Sequence, residues 1–371
     1  MKMYLEGEWV SRDGFQEVLN PYDGSIVDTV PAASIDDVDK AVNSAERGFL
    51  EMKKLTAHDR YTLLMKAADL IQERKEDLAR TITLEEGKVI TEGRLEVERC
   101  LQTIIFSAEE AKRLQSEIIP LDAAPGNSGK FGFTLRVPVG IVAAISPFNF
   151  PLNLVAHKVG PALAAGNSVV LKPASDTPLS ALKLTEIMID SGFPPESIQC
   201  ITGSGSIIGN ALVSNPKIRK VTFTGSQEVG EAICKSAGIK KVTMELGSNS
   251  PLVVLPDADL EKVALATTQS GFSNAGQVCI STQRVIVDQS VYSDYLDALV
   301  PVVESLKMGN PIEDPVKLGP MVREEDAVRV SEWISEAVDG GAKLITGGER
   351  ERASVSPAVI ADAKPDMKIC R

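Results

Sequence analysis

The sequence predicts an α/β fold: a parallel sheet covered by helices on both faces, extended by a second, smaller alternating unit. Three observations carry this prediction. From residue 137 onward, short apolar runs alternate with helical patterns; polar residues gather directly after those runs, where parallel sheets present ligands; and a second alternation follows from residue 251. A chain of 371 residues is long enough for a substantial core and about two domains of the usual ~100–200 residues.

Residues 4–30 read as short strands, 5–10 and 26–30, around turns such as Asn20-Pro21-Tyr22-Asp23-Gly24. Ser34 can cap a helix whose Asp36 and Asp37 favour its amino end, and Val38, Ala41, Val42 and Ala45 recur at helical spacing. Further helices fit 57–78, 79–87 and 91–114, their charges marking solvated faces. The Gly/Pro/Ser-bearing stretch 117–135 interrupts that pattern and reads as a hairpin-like arm. Strands then fit 140–145, 168–172, 197–202, 220–224 and 241–245, with helices over 151–165, 178–191, 206–214 and 226–236 between them. The second unit runs through 251–255, 259–273, 283–287, 290–307, 325–339 and 342–346, with the boundary at 247–249. There is no internal repeat of fixed period.

The composition excludes several classes. A net charge of −12 argues against nucleic-acid or anionic-membrane partners, which require a basic footprint. No apolar run approaches the ~18 residues of a membrane span, and the amino end lacks the pattern of a secretory signal. Five cysteines, at 100, 200, 234, 279 and 370, are odd in number and widely spaced, which points to reduced thiols in the cytoplasm. With only His58 and His157, no metal site is expected.

Gly271 to Thr282 presents Cys279 among small and apolar residues, and Gly271 and Gly276 would let backbone approach a ligand. A thiol in such a loop is a candidate nucleophile, or else a small buried hydrophobe. Asn149, in Ser146-Pro147-Phe148-Asn149-Phe150-Pro151, is an amide in a rigid, largely apolar loop, suited to an oxyanion or to ordinary turn work. Lys172 ends an apolar strand, where an ammonium meets a nucleotide ribose or phosphate, or simply solvent. The loop Gly203-Ser204-Gly205-Ser206-Ile207-Ile208-Gly209 has its third glycine one residue late for a dinucleotide fingerprint. Phe223-Thr224-Gly225-Ser226 is the better phosphate cradle, with free N–H groups and the Ser226 hydroxyl facing an anion. Glu245 closes a strand among apolar neighbours, and burial there would raise its pKa toward that of a general base; a salt-bridged structural role fits equally.

Pro-Phe-Asn-Phe-Pro, Leu-Lys-Pro-Ala-Ser, Phe-Thr-Gly-Ser, Met-Glu-Leu-Gly and Gly-Gln-Val-Cys, in this order and spacing, closely resemble the aldehyde dehydrogenase superfamily over essentially the whole chain. The resemblance implies a Rossmann-like NAD(P)-binding domain over 1–116 and 137–247, a β-hairpin oligomerisation arm over 117–136, and a second α/β catalytic domain over 248–371. It implies that Cys279 attacks an aldehyde to give a thiohemiacetal and then a thioester, that Asn149 and the Cys279 N–H form the oxyanion hole, and that Glu245 activates the hydrolytic water. It sets Lys172, Ser175, Pro147, Phe148, Gly205, Thr224, Gly225, Ser226 and Leu246 around NAD or NADP, in a homo-oligomer.

The chain departs from the family pattern at three places. Ser175 stands where many NAD-preferring relatives carry Glu, so NADP is expected to be admitted beside NAD. Ser248-Asn249 replaces a more usual Gly-Lys. Family members are expected to continue beyond 367–371 into a Glu-x-Phe-Gly-Pro segment, the rest of the catalytic domain and a terminal oligomerisation strand, so the chain reads as C-terminally truncated. Asn153 and His157 lie one and two helical turns after Asn149, where they would line the entrance, and Val278 and Ile280 suggest a narrow pocket. The expected substrate is a small polar or anionic aldehyde: lactaldehyde, a semialdehyde, or a phosphorylated or sulfonated three-carbon aldehyde. Two other readings stay open, a fragment that at most binds nucleotide and a cofactor-free thiol esterase.

Overall fold

The computed structural model describes residues 1–371. Its chain opens on strands β1 (Met3–Leu5) and β2 (Glu8–Val10), paired antiparallel. The run 5–10 is thus not one strand: Glu6 and Gly7 turn the chain at φ +55° and +80°, the left-handed region that an extended strand excludes. A second hairpin, β3 (Phe15–Leu19) and β4 (Ile26–Pro31), closes around the Asn20–Gly24 turn, where Gly24 N–H donates to Asn20 O at 2.8 Å.

Four helices follow, α1 (Ile35–Met52), α2 (Ala57–Glu73), α3 (Lys75–Glu86) and α4 (Ile90–Ala111). The Ser34 hydroxyl accepts from Asp37 N–H while the Asp37 carboxylate accepts from Ser34 N–H, a reciprocal cap. The break between α2 and α3 falls at Arg74 rather than at 78/79. Arg74 adopts φ −95°, ψ 15°, ending one helix and starting the next. The arm is a short antiparallel ladder, β5 (Ile118–Ile119) with β6 (Gly132–Phe133).

The central alternation is β7 (Ile141–Ile145), α5 (Asn153–Ala164), β8 (Ser168–Lys172), α6 (Leu179–Asp190), β9 (Ile198–Cys200), α7 (Asn210–Ser214), β10 (Ile218–Thr224), α8 (Gln227–Ala237) and β11 (Lys241–Glu245). The sheet order is β11-β10-β7-β8-β9-β1-β2. The five strands from β11 to β9 are parallel, but β1 joins β9 antiparallel, so the sheet is mixed rather than wholly parallel. A hairpin needs no crossover helix and can cap an edge directly. β7 and β8 are buried along their whole length. Val142, Ala144, Val169 and Leu171 pack into the core beneath α4, α5 and α6, and Ile141, Ala143, Ile145 and Val170 into the opposite core with α1, as a two-residue side-chain period requires.

Strand order reverses at β7: the chain steps to β8 and β9 on one side and returns to β10 and β11 on the other. Open α/β sheets bind ligands in the crevice at such a point, outside the carboxyl ends of the strands.

A smaller unit follows: β12 (Ser250–Val254) parallel to β13 (Thr282–Val287), with α9 (Leu260–Phe272) and α10 (Tyr292–Glu304) around a core of Val254, Ala264, Tyr295, Leu299 and Val303. Helix α11 (Glu324–Asp339) precedes β14 (Lys343–Thr346), the two-residue pair β15 (Arg350–Glu351) and β16 (Ser354–Val355), and β17 (Val359–Ala361), which returns antiparallel to β14. No helix is long and apolar enough to cross a membrane.

Candidate active site

Five parallel strands bring their carboxyl ends to one edge, and the marked residues gather there. Pro147, Phe148 and Asn149 follow β7; Lys172 and Ser175 follow β8; Gly205 follows β9; Thr224, Gly225 and Ser226 follow β10; Glu245 and Leu246 follow β11. Register holds them level. Ile145 is paired with Lys172 and Thr224 with Glu245, and Gly225 N–H donates to Glu245 O at 3.1 Å.

Asn149 and the cysteine loop are in direct contact. Asn149 Nδ2 donates to Gln277 O at 2.7 Å, two residues before Cys279, while its Oδ1 is buried without a partner. The Gln277 carbonyl sets the orientation of the amide, since a flip would oppose two oxygens. The second Nδ2 hydrogen remains free to donate. Gln277 is itself anchored, giving Nε2 to Asn274 O at 3.1 Å and accepting Val322 N–H at 3.0 Å.

Asn274, Ala275 and Gly276 all adopt positive φ, at 50°, 53° and 76°, a left-handed run that only strong anchoring sustains. Its anchors lie on α4 and at the end of α3. Ser273 Oγ and Asn274 N–H donate to Glu92 at 2.8 and 3.0 Å, and Asn274 Nδ2 donates to Glu86 at 2.7 Å. Gly271 also lets the chain cross closely, since a Cβ there would meet Thr282 O at 3.1 Å. Cys279 is exposed beyond the turn, and the Ser248 hydroxyl donates to its carbonyl. The unexplained Ser248-Asn249 pair therefore ties the end of β11 to the cysteine loop, and Asn249 Nδ2 donates to Cys370 O at 2.9 Å. Ile280 is 75% exposed.

The burial expected for Glu245 is absent. Strand β11 is the sheet's edge, and the carboxylate is exposed. The buried group that senses its charge is Lys158 on α5, which donates to Thr224 Oγ1 at 2.6 Å. Burial pulls the Lys158 pKa down to about 8, and the Glu245 charge opposes that fall. The folded pKa lies below the ordinary 10.5, so the penalty of burying the charged form is complete below about pH 8 and fades as pH rises toward 10.5. The stability difference between Lys158→Met and the native chain is expected to be flat below pH 8 and to shift in favour of the native chain between 8 and 10.5, read by urea denaturation across that range. A flat difference throughout would refute the assignment.

At the carboxyl end of β8, Lys172 is 4% exposed rather than solvated. Its Nζ donates to Pro173 O at 2.8 Å, and burial lowers its pKa to about 8, against the pull of Asp176. The segment expected as a helix over 206–214 begins as a wider turn, Gly205–Gly209, before α7. A Cβ at Gly205 or Gly209 would stand 3.7 or 3.9 Å from the Lys172 side chain, so this turn packs directly beside the lysine. Ser175 Oγ donates to Gly203 O at 3.1 Å beside it. The Ser226 hydroxyl accepts Val229 N–H at 3.4 Å and so caps α8 instead of simply facing outward, while Leu246 packs over Gly230 of that helix. The exposed amino end of α8 could hold an anion, and a dinucleotide there would set its pyrophosphate by Ser226 and its ribose toward Lys172.

The buried charges of α3 and α4 escaped the sequence reading, which treated them as solvated. Glu85, Glu86, Lys88 and Glu96 are all buried. Glu85 accepts N–H from Leu179 and Ser180 at 2.6 and 2.9 Å, closing the start of α6, and burial raises its pKa to about 7 and that of Glu86 to about 8. The missed signal is Glu85-Glu86-Gly87-Lys88 at a helix end: a close acid–base set beside a chain-reversing glycine (φ 87°).

A mixed sheet that gathers Asn149, Lys172 and Ser226 at its switch point, with Asn149 bonded to the loop that carries an exposed thiol, fits an α/β enzyme with a cysteine nucleophile. The chain belongs to the aldehyde dehydrogenase family, whose model matches residues 9–371 and whose enzymes use NAD or NADP. It is 48% identical over 369 residues to a 3-sulfolactaldehyde dehydrogenase of Priestia megaterium, covering 100% of this chain and 77% of that protein. It is 38% identical over 373 residues to a lactaldehyde dehydrogenase of Methanocaldococcus jannaschii, covering 100% and 79%. Among solved structures, it superposes at TM-score 0.96 on an Escherichia coli NADP dependent enzyme (36% identity, 99% of this chain, 77% of that one). It superposes at 0.93 on glyceraldehyde-3-phosphate dehydrogenase of M. jannaschii complexed with NADP (38% identity, 98% and 78%).

Proposed function

We propose that the chain oxidises a small polar or anionic aldehyde to the carboxylate through a covalent intermediate on Cys279. The observation that carries this reading is the contact of Asn149 with Gln277, which sets an amide donor beside the thiol loop. The exposed Cys279 sulfur attacks the carbonyl carbon. Asn149 Nδ2 and the Cys279 N–H then hold the oxyanion of the thiohemiacetal. Lys172, Ser175 and Ser226 would hold NAD or NADP, which would supply the hydride acceptor needed to oxidise the adduct to a thioester. Glu245 takes a proton from the water that hydrolyses it. Splitting the oxidation in two is what covalent catalysis provides.

The substrate reading rests on α4 and α5. Thr103 Oγ1 donates to Asn153 Oδ1 at 3.0 Å and lies 3.4 Å from His157 Nε2, and the exposed Arg99 stands one turn earlier on α4. This polar rim suits a hydroxylated or anionic aldehyde, in keeping with the names of the sulfolactaldehyde and lactaldehyde dehydrogenase relatives. Aldehyde-dependent NAD(P)H absorbance across propanal, lactaldehyde and a sulfonated three-carbon aldehyde tests it; equal kcat/KM for all three would contradict it.

Ser175 in place of a carboxylate supports use of NADP beside NAD. Ser175→Glu is expected to lower kcat/KM for NADP about 10²-fold relative to NAD, because a carboxylate beside the ribose repels a 2′-phosphate. An unchanged ratio would place the adenosine ribose elsewhere. We assign the chain to the cytoplasm, in keeping with its five free cysteines. We infer a homo-oligomer, because the arm exposes Ile118, Phe131, Phe133 and Leu135 by 56–73%, an apolar surface that an isolated globule rarely leaves uncovered.

A further inference from the structure

The segment joining α3 to α4 carries buried charges that the proposed chemistry does not consume. Lys88 and Glu96, 2% and 1% exposed, pair at 2.6 Å. Lys88 Nζ also donates to Asn149 O at 2.6 Å and lies 3.9 Å from the centre of the Phe150 ring. The other Glu96 oxygen accepts the N–H groups of Leu152 and Asn153 at 2.9 and 3.0 Å, at the start of α5. From the opposite side, Asn274 donates to Asn149 O at 3.3 Å and to Glu86. A single carbonyl thus receives one donor from the α3–α4 segment and one from the cysteine loop, while its own side chain donates to Gln277.

A buried ion pair is poor value as a stabiliser, since an apolar pair of equal volume does as well or better. What an apolar pair lacks is direction. A charged donor on a backbone carbonyl, with its counter-ion capping the next helix, fixes a loop in position and angle. We propose that Lys88, seated by Glu96, is a positioning residue for oxyanion stabilisation: it holds the 149–153 loop against the cysteine loop so that the Asn149 amide and the Cys279 N–H face one oxygen. This rests on the oxyanion role proposed above for Asn149.

The test compares Lys88→Met, Glu96→Gln, Asn149→Ala and the double variants of each of the first two with Asn149→Ala, in the 371-residue chain. The readouts are kcat and KM with propanal and NADP; NADP affinity by protein fluorescence; Cys279 alkylation by iodoacetamide in a Cys234→Ser, Cys370→Ser background; and thiohemiacetal occupancy with isotope-labelled propanal by NMR. Lys88→Met is expected to lower kcat about 10²-fold, the scale of one oxyanion donor, and to lower adduct occupancy with it. NADP affinity and alkylation rate stay within about twofold, which a general structural role would not allow. Glu96→Gln, which keeps an acceptor for α5, costs about tenfold. Because Lys88 acts through Asn149, each double variant is no slower than Asn149→Ala alone. Should Lys88→Met not fold, the Glu96→Gln pair carries the same comparison. Unchanged kcat in Lys88→Met, or double variants slower by the full single-variant factor, would overturn the proposal. A native rate in Asn149→Ala, or a native chain with neither turnover nor adduct, overturns the oxyanion reading itself and the clamp with it.

Discussion

Cys279→Ala is expected to abolish aldehyde-dependent NAD(P)H formation, with kcat falling by at least about 10⁴-fold, while cofactor affinity and melting temperature hold. The side chain is exposed and its loop is held by its neighbours, through Gln277, Asn274 and Ser248, so truncation removes reactivity and little packing. Of the other four thiols only Cys370 is partly exposed beside this loop, its carbonyl accepting from Asn249, so the comparison is made in a Cys370→Ser background. Cys100 and Cys200 are fully buried, and burial pushes the Cys100 thiol far up and that of Cys200 to about 12. Cys234 is exposed but sits on α8, away from the Asn149 amide. Residual turnover above about one part in a hundred would mean that another group forms the adduct.

Glu245→Gln is expected to separate the two halves of the reaction. Acylation needs the thiol and the oxyanion donors, so one equivalent of NAD(P)H per chain should appear in a burst. Hydrolysis needs a proton acceptor, which glutamine lacks, so the steady rate should fall about 10²–10⁴-fold, the usual range for loss of a general base. The exposed position at the end of β11 makes a change in stability beyond ~0.5 kcal/mol unexpected. A slow first turnover would instead place Glu245 before the thioester, as the base that activates the thiol.

Much of this site was readable from residue order because it depends on strand ends. Once apolar runs such as 141–145 and 168–172 are recognised as buried parallel strands, Asn149, Lys172, Ser226 and Glu245 must share one edge. Glu245 shows the limit of that reasoning. Flanking apolar residues suggested burial, but burial depends on which strand lies at the sheet's edge, a property of topology rather than of neighbours in sequence. The ladder of Glu86, Lys88, Glu92 and Glu96 was misread for a related reason. Charges at helical spacing are usually solvated, and only the packing of α3 and α4 against two distant loops shows that these face inward. The Glu6-Gly7 turn and the wider turn at Gly205–Gly209 were missed because short irregular backbone has no periodicity to read.

The central claim is that substrate carbon becomes bonded to the Cys279 sulfur. The most direct test is to mix the Glu245→Gln chain with NADP and excess propanal, quench in acid after the burst, and map the acyl group by peptide mass spectrometry. The account predicts one propanoyl group per chain, on the peptide containing Cys279, in proportion to the NADPH formed. NADPH production with no acylated peptide, or acylation on another residue, would contradict it.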